Sequence, residues 1–175
     1  LHRVDRRQRQ MCIRDRHYPG LGAVSGNTDF TTEGILDTTT TLGGAEAGAF
    51  DQAITKTDPA MVMMSLATYQ SIDPNNPAVF SSTIIDGHIR NALKYTGVVI
   101  SDSMSAEALS SYDVSQLGVK LVEAGGDMSC IGQTDYVKPI VDGLNERAKS
   151  DPAFASKVTA AATRVMALKI KMGLA

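Results

Sequence analysis

Asp102 is the side chain whose neighbours best fit it for chemistry. It closes the run Gly97-Val98-Val99-Ile100-Ser101-Asp102-Ser103-Met104. Three consecutive β-branched residues predict a strand over 97–101, buried on both faces. A carboxylate in the middle of such a sheet would carry a heavy desolvation cost. Asp102 is therefore expected at the strand's carboxyl end, facing a cavity, where parallel α/β barrels present reactive groups. A carboxylate held there can act as a nucleophile or as a proton carrier. An Asp can equally cap a helix, and Ser103-Met104-Ser105-Ala106-Glu107 could open one. The octapeptide alone leaves both roles open.

A second group of polar side chains lies upstream. His17-Tyr18-Pro19-Gly20-Leu21-Gly22 reads as a stiff loop shaped by Pro and Gly, with a His at its start. Asn27-Thr28-Asp29-Phe30 follows and adds another carboxylate, with Glu33 and Asp37 further on. Alternating strands and helices must carry these groups. The pattern predicts helices over 45–56, 81–94 and 115–124 and strands over 61–67, 97–101 and 127–131. Two helices, near 135–149 and 152–172, finish the chain. The first helix sets Ala47, Phe50, Ala53 and Ile54 on one side, and the last sets Val158, Ala161, Val165 and Leu168. Strand alternating with helix implies parallel pairing and an α/β fold. Asp73-Pro74-Asn75-Asn76-Pro77 has turn chemistry, and the threonine run Thr38–Thr41 reads as an extended loop.

Composition narrows the classes. The chain is 43% hydrophobic and 5% aromatic, with no Trp, as suits a globular α/β protein. No stretch is long and apolar enough to span a membrane. Cys12 and Cys130 are the only cysteines, and Cys130 is expected to be a small core residue. No Cys/His cluster has metal-ligand spacing and no nucleotide-binding loop is present, so no metal and no cofactor is expected. Six of the seventeen basic residues crowd into residues 1–16, leaving eleven against seventeen acidic ones in the remainder. That arginine cluster could suggest a nucleic-acid arm. The segment resembles a translated adapter or cloning remnant instead, so residues 1–16 are set apart as a non-native leader and no nucleic-acid partner is expected.

Taken in order, the motifs of residues 17–175 resemble the N-terminal catalytic barrel of glycoside hydrolase family 3, in its β-N-acetylhexosaminidase branch. The family's loop reads Lys-His-Phe-Pro-Gly-His-Gly, against Arg16 to Gly22 here. Its strand reads Val-Ile-Ser-Asp-Asp, against Val99 to Ser103, and its later Ala-Gly-Gly-Asp matches Ala124 to Asp127. A complete (β/α)8 TIM-type barrel needs about 200 residues or more. The resemblance therefore implies a partial barrel of parallel strands, with 17–175 as its C-terminal part and the first half missing. Such a chain, alone, is expected to be inactive and poorly folded.

The resemblance also implies a reaction. Retaining glycoside hydrolysis needs one group to attack the anomeric carbon and another to protonate the leaving oxygen and then activate water. Asp102 matches the nucleophile and must stay ionised. The branch's Asp-Ser-His triplet, whose His transfers the proton, falls on Asn27-Thr28-Asp29, so Asp29 becomes the expected acid/base, ahead of Asp37 and Glu33. His17 matches the residue that holds sugar hydroxyls, with Asn27 beside it in the substrate site. Leu66 stands where many relatives have a His. Arg90 and Asp127 are expected to be structural, and His88 a solvated helix residue. The expected activity is removal of terminal β-linked N-acetylglucosamine from oligosaccharides or peptidoglycan fragments, with a carbohydrate as partner. A β-glucosidase of the same family, a non-catalytic sugar-binding relative, and an unrelated aldolase-like barrel are the alternatives.

Overall fold

The computed structural model describes residues 16–24, 26–32 and 34–175. Residues 1–15 of the expected leader, including Cys12, lie outside the described residues, as does Glu33. In chain order the elements are β1 (Leu36–Asp37), α1 (Ala45–Thr57), β2 (Met61–Met64), β3 (Thr68–Tyr69), β4 (Asp73–Pro77), α2 (Thr83–Ala92), β5 (Val98–Ser103), α3 (Val114–Glu123), β6 (Met128–Cys130), α4 (Val137–Ser150) and α5 (Pro152–Lys171). The fold is α/β, as the alternation predicts.

The central sheet is parallel, in the order β2-β5-β6. Met61 lies opposite Val98 and Met64 opposite Ser101. Tyr18, expected in a loop, pairs in parallel with Met64 on the free side of β2. Its N–H donates to Met63 O at 2.8 Å, and its carbonyl accepts from Ser65 N–H at 2.9 Å. The parallel arrangement therefore runs from residue 18 through β2 and β5 to β6. Alternation along β2 buries Val62 and Met64 fully. With Val99 of β5, they share one core with Ile84, Ile85 and Ile89 of α2 and with Leu117 and Leu121 of α3. Val98 and Val99 are both buried, but Ile100 is only half-buried, so the expected two-sided burial of β5 holds at its start alone.

α2 departs from the expected α-helix. Gly87 N–H bonds Ser82 O and Leu93 N–H bonds His88 O, five residues back, so the segment is wound as a π-helix. Ser81 still caps it, its Oγ accepting from Ile84 N–H at 3.3 Å. Residues 73–77 also depart from the expected turn. β4 pairs antiparallel with β3, which pairs parallel with β1. The Asx bond remains, from Asn75 N–H to Asp73 Oδ1 at 3.2 Å, but the neighbouring strand decides the backbone.

Asp127, just before β6, locks the amino ends of the strands. Its carboxylate is fully buried and meets Arg90 of α2 at 2.5 Å and Arg164 of α5 at 2.8 Å. It also accepts from Val99 N–H at 2.8 Å. Arg90 donates further to the carbonyls of Tyr95, Gly97 and Gly125. Both residues are thus structural, as expected. α3 and α4 pack where glycines face each other's helix. A Cβ on Gly118 would lie 2.7 Å from Ile140, and one on Gly143 would strike the Ser115 backbone.

Candidate active site

Asp102 occupies the carboxyl end of β5, next to the strand's last residue. No helix opens behind it. The segment that follows is a single 3₁₀ turn, Glu107–Leu109, whose start has no side-chain cap. Asp102 Oδ1 accepts from the N–H of its own neighbour Ser103 at 2.8 Å, which removes the helix-cap role. Its other oxygen, Oδ2, lies 3.2 Å from His17 Nε2. The Asp102 and His17 side chains are 20% and 29% exposed, so the pair sits in an open position at the strand ends.

Several groups hold this pair in place. The paired backbone of Tyr18 puts His17 at the level of Met64, one strand away from β5. Tyr69 Oη donates to Gly20 O at 2.5 Å, fastening the loop that follows. Gly20 has φ +135°, a conformation that a side chain would strain, and an added Cβ would also press on Glu46. Beyond Asp102, Ser103 Oγ and Ser105 Oγ are 3.1 Å apart, and Ser105 Oγ accepts from Gly132 N–H. Ser101 Oγ accepts from Cys130 N–H at 2.9 Å and stitches β6 to β5. Cys130 is half-buried on that strand, not in the core. The serines escaped the sequence reading because hydroxyls in an apolar run have no periodicity of their own.

The Asn27-Thr28-Asp29 loop docks near the same end of the sheet. Thr28 O accepts from Ala108 N–H at 3.1 Å, in the segment downstream of Asp102. Asn27 Oδ1 accepts from Asp29 N–H at 2.9 Å, and Asn27 O accepts from Thr31 Oγ1. Asn27 and Asp29 are both exposed. Among the described residues, neither side chain is bonded to His17 or Asp102; the structure joins His17 with Asp102 and leaves the loop carboxylate facing solvent. Asp37 does not belong to the site. It is buried and accepts from the N–H and Oγ1 of both Thr39 and Thr40. Burial pushes its carboxyl up, but those bonds, led by Thr40, outweigh it and hold it below the usual range. Leu66 is buried in the core. His88, expected in solvent, pairs with Asp51 at 2.9 Å. The π-winding of α2 gives it a different facing from the one a 3.6-residue period assigns. Among the described residues, no group of three or more His, Cys, Asp and Glu is placed to hold a metal ion.

The glycosyl hydrolase family 3 N terminal domain matches residues 5–168. The chain belongs to glycosyl hydrolase family 3. Membership removes the unrelated aldolase-like barrel from consideration. A solved structure, the beta-N-acetylhexosaminidase from Beutenbergia cavernae, superposes with a TM-score of 0.81 at 38% identity, over 88% of this chain and 46% of that one. A beta-hexosaminidase of Nitrosomonas eutropha is 29% identical over 117 residues, 66% of this chain and 33% of its own length. An uncharacterized secreted glycosyl hydrolase of Arthroderma benhamiae is 33% identical over 120 residues, 65% of this chain and 33% of its own. The chain thus spans about a third of the length of these two relatives.

Proposed function

We propose that this chain carries the nucleophile-bearing part of a retaining β-N-acetylhexosaminidase barrel, and that residues 17–175 are its native portion. The substrate is a terminal β-linked N-acetylglucosamine on an oligosaccharide or peptidoglycan fragment. Asp102 Oδ2 attacks C1 of that sugar and forms a glycosyl ester, while the aglycone oxygen leaves with a proton from Asp29. The same Asp29 then takes a proton from water, whose oxygen attacks C1 and frees Asp102. Asp29 reaches the sugar through movement of its exposed loop, which Asn27 shapes through its bond to the Asp29 N–H. His17 and Asn27 bind sugar hydroxyls.

One observation carries the reading. In a family 3 chain similar to hexosaminidases, a carboxylate ends a parallel strand with an imidazole 3.2 Å from its outer oxygen. A slow fluorinated N-acetylglucosaminide that traps the glycosyl ester on the full-length enzyme carrying this segment tests it. Peptide mass spectrometry is expected to find the sugar on Asp102, and a label at another residue would overturn the assignment. A comparison of aryl N-acetylglucosaminide with aryl glucoside separates this reading from a β-glucosidase.

A further inference from the structure

Tyr18 is fixed more firmly than any loop residue needs to be. Its backbone is bonded on both sides to β2, through Met63 O and Ser65 N–H. Its side chain is fully buried. Its Oη donates to Asp51 Oδ1 at 2.9 Å, and the other oxygen of Asp51 is 2.9 Å from His88 Nε2. Asp51 is on α1 and His88 on α2, so the tyrosine hydroxyl is bonded to a carboxylate of one helix that a second helix holds in turn. The Tyr18 ring also stacks on His88 at 6.3 Å and meets the Phe50 ring edge-on at 5.7 Å. A buried hydroxyl bonded to a carboxylate is costly to displace, because either partner left alone would be unsatisfied. Successive residues of an extended segment point to opposite faces. Holding Tyr18 in the helix layer therefore directs His17 to the other face, where it meets Asp102.

We infer that Asp51 and His88 are positioning residues for the active site: through the Tyr18 hydroxyl they set where His17 stands against Asp102. The inference rests on the proposed site for its effect on turnover. The contact itself can be read without turnover. In the substrate-free protein, the imidazole NMR signals of His17 are expected to shift on Tyr18→Phe, which removes one oxygen and keeps the ring, and on Asp51→Asn. Unchanged His17 signals in both variants would overturn the inference whether or not any hexosaminide is cleaved. Shifted signals in a protein that cleaves no hexosaminide would sustain it and sink only the proposed activity. In turnover by the full-length enzyme carrying this segment, Tyr18→Phe is expected to lower kcat/KM about tenfold when His17 is present and to have no further effect in a His17→Ala background. Equal losses in the two backgrounds would mean that Tyr18 merely supports the fold, and would overturn it.

Discussion

Asp102 and Asp29 divide the proposed work between a fixed carboxylate and a movable one, and substitutions separate their roles. In the full-length enzyme carrying this segment, Asp102→Asn keeps the shape and removes the nucleophile, so kcat is expected to fall on the order of 10⁴-fold, as measured with an aryl N-acetylglucosaminide. Asp29→Ala should cripple hydrolysis of a substrate with a poor leaving group and spare an activated aryl glycoside, which departs without protonation. Equal losses on both substrates would take Asp29 out of the role. Asp37 gives a pH prediction of a different kind. Its folded-state proton affinity is held low by Thr39 and Thr40, despite burial. Its stabilising contribution is complete above the ordinary carboxylate pKa of about 4 and fades as pH falls toward the lower folded value. Urea midpoints measured from pH 6 to pH 3 should drop less steeply in Asp37→Asn than in the parent.

At the scale of elements, the molecule depends on one buried carboxylate and one close helix contact. Asp127 is shared between β5, α2 and α5, through Val99 N–H, Arg90 and Arg164. Asp127→Ala leaves the Arg90 guanidinium, only 10% exposed, without its counter-ion. A loss of about 3–5 kcal/mol in chemical unfolding is expected. Arg164 is 32% exposed and can turn to water, so Arg164→Met should cost clearly less. Gly143 lies against the Ser115 backbone, which cannot step aside as a side chain does. Gly143→Ala should therefore push α3 and α4 apart and cost roughly 1–3 kcal/mol. The elements themselves were largely legible. Residues 45–56, 115–124 and 152–172 carry apolar residues at helical spacing and form helices close to those limits. The misses came where the chain is short and its partner is remote. β1, β3 and β4 consist of two to five residues and exist because they pair, and α2 is π-wound against a core that no local window contains.

Over the whole molecule, the parallel sheet has unsatisfied edges. Among the described residues, β6 pairs only with β5, and the segment at Tyr18 pairs only with β2. Val137 and Val141 of α4 and Met166 and Ile170 of α5 are exposed. Open strands and bare apolar helix faces favour association between chains. The purified 175-residue chain is expected to self-associate in sedimentation and to show no hexosaminidase turnover; a monomeric, active preparation would refute this.

The sequence by itself determined the alternation of strand and helix, the family, and the carboxylate that ends the apolar strand. Those are local facts, written in residue type and period. Only the tertiary structure decided that His17 touches Asp102, that Asp37 is buried among threonine donors, and that His88 serves Asp51 and not solvent. The threonine donors are near neighbours of Asp37, but the two histidine contacts join residues far apart in the chain. Such a contact is set by strand register and helix packing, which balance energies over the whole sheet, and no short stretch of sequence contains that balance.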